Sequence, residues 1–574
     1  MRSFHQSHLG LFFGLLLFAS TACSWAAGVW QWSVPAPTIE NRRAYLWVPP
    51  DCKHVRGLVI ACHNMLEEPL FERPAFRQAC ADNGLGIVMI FSGHDSAPGD
   101  DQKNKTPDRS YLDIFLNPYF GGGGTSTSDE NPQKAGVDLQ KVLDALADES
   151  GYTEIKYAPL LPVGHSSAGS FVWHLYKWDP SRIFAMMPFK TGSKDDGPEG
   201  IPIFDFNSEW FEYGNWDMHN VSLTAPDGGA KIGGPRTHSP NSLYGYFVDI
   251  GSGHCDVGDN PMDVIGLFLK KAVAERIPDD APLDGPVQLK PVTVESGALL
   301  DPDKFGKPDG KAYAYGDYPG DPKKAFWYLD QELATAVQDR VSSQLAKKPQ
   351  QIGFMQDGQP STDARMFSMS PKYLDDGATF QMQAGYVDHI DHANFSGKDT
   401  PYYPPDTKLD HSDQPILYRV NSGGVVQVGP DTFRICPRDG PVIPQGNPWE
   451  PTIVAYSLGD AQYRPAEHPA HINVSIINKG GATQTLDFPK IPDQQSMNLA
   501  PITVSATASS GLPVQFFVAS GPATIDGKTL TFDQIPIRAK FPIRIRVSAF
   551  QWGRPNGDQI QSVGPVTQEF FIQK

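Results

Sequence analysis

The stretch "LLPVGHSSAGSFVWHLY", Leu160 to Tyr176, runs from apolar residues through two adjacent serines between glycines into an amphipathic segment. A serine hydroxyl is a useful nucleophile only when a histidine can take its proton and the backbone presents it to a substrate. A sharp strand-to-helix turn does the presenting, and it needs small residues two before and two after the serine; G-x-S-x-G is the usual form. "GHSSA" gives Ser166 the neighbours Gly164 and Ala168, whereas centring on Ser167 would put His165 in the first small position. Ser166 is therefore the candidate nucleophile. The amide of Ser167, at the start of the following helix, is a candidate donor to a developing oxyanion. Alone, the motif would equally suit a tight turn with helix-capping serines.

The surroundings decide. Short apolar runs alternate with amphipathic segments from residue 28 to about 283. "RAYLWVPP", "VRGLVIACHN", "LGIVMIF", "APLLPVG", "RIFAMMPF", "IPIFDF" and "LYGYFVDIG" read as strands, while "PAFRQACADNG", "PQKAGVDLQKVLDALADESG", "AGSFVWHLYKWD" and "PMDVIGLFLKKAVAERIP" read as helices. Strand and helix in turn predict an α/β domain with a doubly wound, mostly parallel sheet. After the last of these strands, "GSGHCDVGDN" places His254 in a glycine-rich loop before the closing helix.

With Ser166 on its turn and His254 downstream, residues 28–283 resemble the α/β-hydrolase superfamily, in which nucleophile, acid and histidine follow one another in that order. The resemblance implies that Ser167 and the loop after the third strand, "ACHNMLEEP", supply the oxyanion hole. Relatives carry a His-Gly there; Asn64 stands in the glycine's place, so the second donor is the amide of Asn64 or of Met65. His63 either buttresses that loop or is an ordinary partly buried residue. In many relatives the acid follows the penultimate strand, which here gives "IPIFDFNSEWFEYGNWD". Glu209, Glu212 and Asp217 are all in reach, and Phe211 occupies the usual aspartate position. The same text is similar to platelet-activating-factor acetylhydrolases, whose acid comes from the preceding strand, but "MMPFKTGS" has no carboxylate. Glu209 is expected, being nearest the strand end. Trp210, Phe211 and Trp216 crowd this loop and are candidate substrate contacts, since flat apolar rings give binding area at small conformational cost; core packing is the alternative.

Beyond the hydrolase region, residues 284–350 read as a helical and loop extension, with Phe326, Leu329, Leu333 and Val337 at helical spacing. Residues 351–483 carry short alternating runs between Pro/Gly-rich turns, a β-rich module. Residues 484–574 read as a β-sandwich; through "SATASSGLPV" and "SGPATIDGKTL" they resemble the immunoglobulin-like repeats of exported bacterial proteins. The resemblance implies a spacer or adhesive unit, and a sandwich with its own core is expected to detach without disturbing the sheet that carries Ser166.

The first 27 residues, with one arginine, an apolar run from Leu9 and small residues near Ala26, read as a secretory signal peptide, which predicts a secreted or periplasmic protein. The apolar run is shorter than the ~20 residues that span a bilayer. Five cysteines follow it. The expected pairs are Cys52 with Cys80 and Cys62 with Cys255, leaving Cys436 as a thiol. A net charge of -17 argues against nucleic acid and against anionic membrane surfaces as partners. His389, His392 and His411 match no metal-ligand spacing, and "FGGGG" at Phe120 lacks the Lys-Ser/Thr of a phosphate loop. Neither a cofactor nor a metal is expected. The predicted chemistry is ester hydrolysis by a serine hydrolase acting on an acetyl or feruloyl ester of a polysaccharide. A polyester or a peptide is the alternative substrate, and an inactive hydrolase fold that binds carbohydrate is the alternative of another class.

Overall fold

The apolar runs assemble into one eight-stranded sheet. The computed structural model describes residues 29–36, 43–91, 130–191, 198–209, 236, 239–361, 367–390, 406–440, 451–473, 478–555 and 557–574. The expected signal peptide, "FGGGG", His392 and the loop holding Trp210, Phe211, Glu212, Trp216 and Asp217 lie outside these residues.

The strands are β1 (Trp32–Pro35), β2 (Arg43–Trp47), β3 (Gly57–Cys62), β4 (Leu85–Ile90), β5 (Leu160–His165), β6 (Met187–Phe189), β7 (Pro202–Ser208) and β8 (Leu243–Asp249), in the spatial order β1-β2-β4-β3-β5-β6-β7-β8. The first two joins are antiparallel; from β4 to β8 every join is parallel. β3, β4, β5, β7 and β8 are buried at every position, as expected of strands covered on both faces. Burial of each Val, Leu, Ile or Phe side chain contributes about 1.5–3 kcal/mol.

Between the strands run α1 (Glu67–Phe71), α2 (Pro74–Asp82), α3 (Glu130–Ser150), α4 (Gly169–Trp178) and α5 (Met262–Arg276). The step from β3 to β4 and the step from β4 to β5 travel in opposite directions across the sheet. Right-handed crossovers therefore put α2 on one face and α3 with α4 on the other, and α5 packs beside α2. This is an α/β-hydrolase-like arrangement, and it brings the carboxyl ends of β3, β5, β7 and β8 to one edge.

In the extension, β9 (Ala298–Leu300), β10 (Ala312–Ala314) and β11 (Phe326–Tyr328) form a small antiparallel sheet, and α6 covers only Gln331–Leu345. Phe326 and Leu329 are thus not part of the helix expected from their spacing. Asp330 starts the helix later by accepting the Leu333 amide at 2.8 Å, and Phe326–Tyr328 pairs with β9 instead. The extension shares the hydrolase core: Tyr328 donates its hydroxyl to the Tyr246 carbonyl at 2.6 Å.

The β-rich module contains a four-stranded sheet of segments 367–369, 466–472, 452–457 and 417–422 and two three-stranded sheets. The last unit pairs segments 494–495, 563–573, 543–551 and 515–520 in one sheet and 502–503, 529–532 and 523–526 in another, around Phe516, Ile545 and Phe570.

The last unit is not detached. Phe517, Phe550 and Trp552 join the core of the β-rich module. Against the hydrolase, Gly521 donates its amide to the Trp30 carbonyl at 2.8 Å, and the hydroxyls of Ser33 and Ser520 are 2.8 Å apart. The Ile537 amide donates to the Pro50 carbonyl, and Arg538 meets the buried Glu154 at 2.8 Å.

Neither expected disulfide forms: all five cysteines are thiols. Cys52 Sγ donates to the His54 carbonyl at 3.1 Å within its own turn, and Cys80 is fully buried on the core side of α2, where burial pushes its thiol pKa up. Cys62 Sγ faces the carbonyl of the next residue, His63, at 3.8 Å.

Candidate active site

Ser166 begins the turn that leaves β5, and its φ is +52°. Only glycine adopts that region routinely, and holding a serine there costs about 1–3 kcal/mol. The sequence around it makes the turn possible. A Cβ on Gly164 would run into the Ala168 carbonyl, and one on Gly169 into the Thr191 side chain. The serine is partly exposed, while Gly164, His165 and Ala168 are buried. His254, from the loop after β8, places Nε2 at 2.9 Å from Ser166 Oγ, although 88 residues separate them.

His165 reinforces this approach. Its Nε2 lies 2.8 Å from the His254 carbonyl, and the two rings are 4.9 Å apart. Since that carbonyl can only accept, Nε2 carries the hydrogen, which leaves Nδ1 as the acceptor facing Asn64 Nδ2 at 3.5 Å. Burial, followed by the nearby His254, holds the His165 pKa well below the usual histidine value, so the ring is neutral.

The loop after β3 is drawn together by Glu67. Its Oε2 accepts the amides of Asn64 at 2.9 Å and Met65 at 3.0 Å, and its Oε1 accepts the amide of His165 at 2.6 Å. Both amides expected to serve an oxyanion are thus directed at one carboxylate. Burial raises Glu67 to about 7, against the pull of these amides. Asn64 Nδ2 donates to the His165 carbonyl at 2.8 Å, tying the loop to the strand below Ser166. Ser167 lies in the turn Ser166–Ala168 ahead of α4. His63 is buried, stacks on Phe91 at 4.5 Å and faces Glu68 at 3.6 Å, so it packs under the loop.

Glu209 directly follows β7 and is fully buried. Its Oε2 accepts the Gly251 amide at 2.7 Å, and its Oε1 is 3.0 Å from Arg464 Nη2, a residue of the β-rich module. The strand-end position read from the sequence is therefore where Glu209 stands, beside the turn that leads to His254. Of the other candidates, Glu212, Asp217, Trp210, Phe211 and Trp216 lie outside the described residues.

Lys190 was not visible as a site residue. It follows β6 at φ +50°, is fully buried, and its Nζ donates to the carbonyls of Gly253 and Asp256, each at 2.6 Å, and to Ser252 Oγ at 3.2 Å. Asp256 Oδ1 lies 3.3 Å from it, and Oδ2 accepts the Gly253 amide at 2.8 Å. A buried ammonium in this way binds both sides of the His254 loop. A lone lysine ending the apolar run "AMMPFK" was the available signal, because a charge without water needs partners. Arg464 and Glu67 carried no comparable signal. His389 is exposed and His411 stacks on Tyr386 at 4.3 Å, both remote in sequence from the serine turn.

No protein-family model and no curated protein sequence matches the chain. Solved structures similar in fold include esterase PE8 (14% identity, 39% of this chain and 97% of that one, TM-score 0.24). LpqC, a poly(3-hydroxybutyrate) depolymerase from Bordetella parapertussis, aligns at 14% identity over 44% of this chain and 94% of its own, TM-score 0.27. Est1E from Butyrivibrio proteoclasticus aligns at 13% identity over 42% of this chain and 98% of its own, TM-score 0.24.

Proposed function

We propose that the chain is an exported serine esterase, acting outside the cytoplasm on acetyl- or feruloyl-type carboxylic esters carried by a polysaccharide. The observation that carries the reading is the strained Ser166, with its Oγ 2.9 Å from His254 Nε2. In the proposed reaction Ser166 Oγ attacks the ester carbonyl while His254 takes its proton. The tetrahedral intermediate collapses as His254 returns the proton to the leaving alcohol. Water then enters, His254 deprotonates it, and the acyl group leaves Ser166 as a carboxylic acid. Glu209 is the acid that orients and stabilises the imidazolium.

The Ser167 amide is the first oxyanion donor. The second comes from Asn64 or Met65, and since both amides donate to Glu67 Oε2, an oxyanion reaching this loop must draw one of them from that carboxylate. Trp210, Phe211 and Trp216 are the proposed ring contacts for a sugar or phenolic group. Residues 484–574 are proposed to be an immunoglobulin-like sandwich, in line with their two larger sheets around one core.

The test is covalent labelling by a fluorophosphonate, followed by turnover on p-nitrophenyl acyl esters, acetylated xylan, feruloylated oligosaccharides, a polyester and peptide amides. Labelling confined to Ser166, with turnover of the sugar-borne esters, is expected. A chain that does not label would be an inactive fold and would overturn the reading.

A further inference from the structure

We propose that the β-rich module completes the active site, with Arg464 as a positioning residue for the His254 turn; this rests on the serine-esterase reading above. The segment 464–467 lies against Glu209, which follows β7, and against Gly251, which follows β8, and holds that turn at several points. Arg464 and Glu209 form an ion pair at 3.0 Å with side chains only 7% and 0% exposed, so little water screens it. The other oxygen of Glu209 accepts the Gly251 amide at 2.7 Å, and the Gly251 carbonyl accepts the Glu467 amide at 2.8 Å. Gly251 has φ +91°, and a Cβ there would strike the Pro465 carbonyl. Backbone of the module and backbone of the hydrolase are in contact with no side chain between them.

The grip continues past His254. Glu467 pairs with Arg419, and Asn421 Nδ2 approaches the Cys255 carbonyl at 3.5 Å. Arg464 is itself fixed: its amide donates to the Lys348 carbonyl at 3.1 Å, and its carbonyl accepts from Gln350 Nε2 at 2.8 Å. Lys190 braces the same loop from inside the sheet, and the module braces it from outside. The loop between β8 and α5 is rich in glycine and has little stiffness of its own, so its position depends on such outside contacts.

Arg464 acts through Glu209 and the Gly251 turn. Its loss should therefore misplace His254 relative to Ser166 and lower kcat, while leaving the substrate's binding contacts alone. A misplacement of about 1 Å at a reacting group can cost roughly 10²-fold in rate. In the full chain, Arg464→Gln is expected to lower kcat by about 10²-fold with KM changed less than about threefold. Arg464→Lys, which restores the charge but not the planar fork, is expected to recover at least about tenfold of that loss. Thermal melts establish that each variant is folded. Should Arg464→Gln not fold, Gly251→Ala reads the same contact from the hydrolase side, with the same expected fall in kcat at constant KM. If the unaltered chain labels at Ser166 and the folded variants keep kcat, this inference is overturned and the esterase reading stands. If the unaltered chain does not label, both fall together.

Discussion

Arg438 of the β-rich module forms an ion pair with Glu68 of α1 at 2.7 Å, and the same guanidinium reaches Glu72 at 2.6 Å. Both carboxylates are buried, whereas the arginine side chain keeps 27% of its exposure. Burial pushes Glu68 above the usual carboxylate range, and Arg438 is the main force holding it down. Arg438→Met should therefore leave two buried acids without their cation and destabilise the chain by about 3 kcal/mol, the lower end for a broken buried pair because the arginine is part-exposed. Chemical denaturation at pH 7 checks this. A loss under about 1 kcal/mol would mean that water already serves the pair.

Ser166→Ala should abolish both ester turnover and fluorophosphonate labelling. Ser167→Ala should keep labelling and lower the rate moderately, since a backbone amide survives truncation of its side chain. Labelling that persists in the Ser166 variant would move the nucleophile elsewhere.

Glu209→Gln should lower kcat by as much as about 10⁴-fold if this residue holds the His254 tautomer. Glu212→Gln and Asp217→Asn should do much less, and a dominant effect from either would move the acid into the loop beyond residue 209. Asp249 ends β8 and is another buried carboxylate near the turn, with Oδ1 accepting from Asn260 Nδ2 at 3.0 Å. Asp249→Asn should preserve kcat within about tenfold, because that contact survives as an amide pair.

Glu67 should give the fold a pH dependence of definite sign. Its ordinary value is 4.5, and burial lifts it to about 7. Between these values the folded chain retains a proton that the unfolded chain releases, so stability falls as pH rises through the window. The contribution is intact below 4.5 and fully lost above about 7. Relative to wild type, Glu67→Gln should gain on the order of 2–4 kcal/mol from pH 4.5 to 7 and stay level above that. Melting both proteins across the range checks it; a constant offset would mean that Glu67 titrates like an exposed acid.

Deleting residues 484–574 should destabilise the hydrolase, contrary to the detachable unit that the repeat-like sequence implies. The deletion removes the amide partner of the Trp30 carbonyl and the Arg538 partner of the buried Glu154. A lower melting temperature and loss of soluble protein are expected. An undiminished melt would show that the contacts with Trp30 and Glu154 contribute nothing net.

The sheet and the serine turn were legible because they rest on local chemistry. Apolar runs between turn residues mark buried parallel strands, and small residues around Ser166 mark a backbone that must approach its neighbours closely. His254 was legible through the order that the hydrolase resemblance implies, with the histidine on a loop after the last strand. What escaped depends on contacts across hundreds of residues. Nothing near Arg464 shows that it will meet Glu209, and nothing in "SGPATIDG" shows that it will meet β1. The stripe of Phe326 and Leu329 misled for a related reason: spacing of apolar residues cannot tell a helix from a short strand followed by a capped helix, and Asp330 settled it.

The contact between Ser33 and Ser520 spans 487 positions of the chain. At a synthesis rate of about 5–20 residues per second, the edge of the sheet waits roughly 25–100 s for the segment that covers it. Throughout that interval the Trp30 carbonyl and the Ser33 hydroxyl at the β1 edge lack these partners, and a less covered strand edge is the kind of surface on which other chains can add. A chaperone that holds the nascent chain open until the last residues have emerged would therefore shield that edge from other chains.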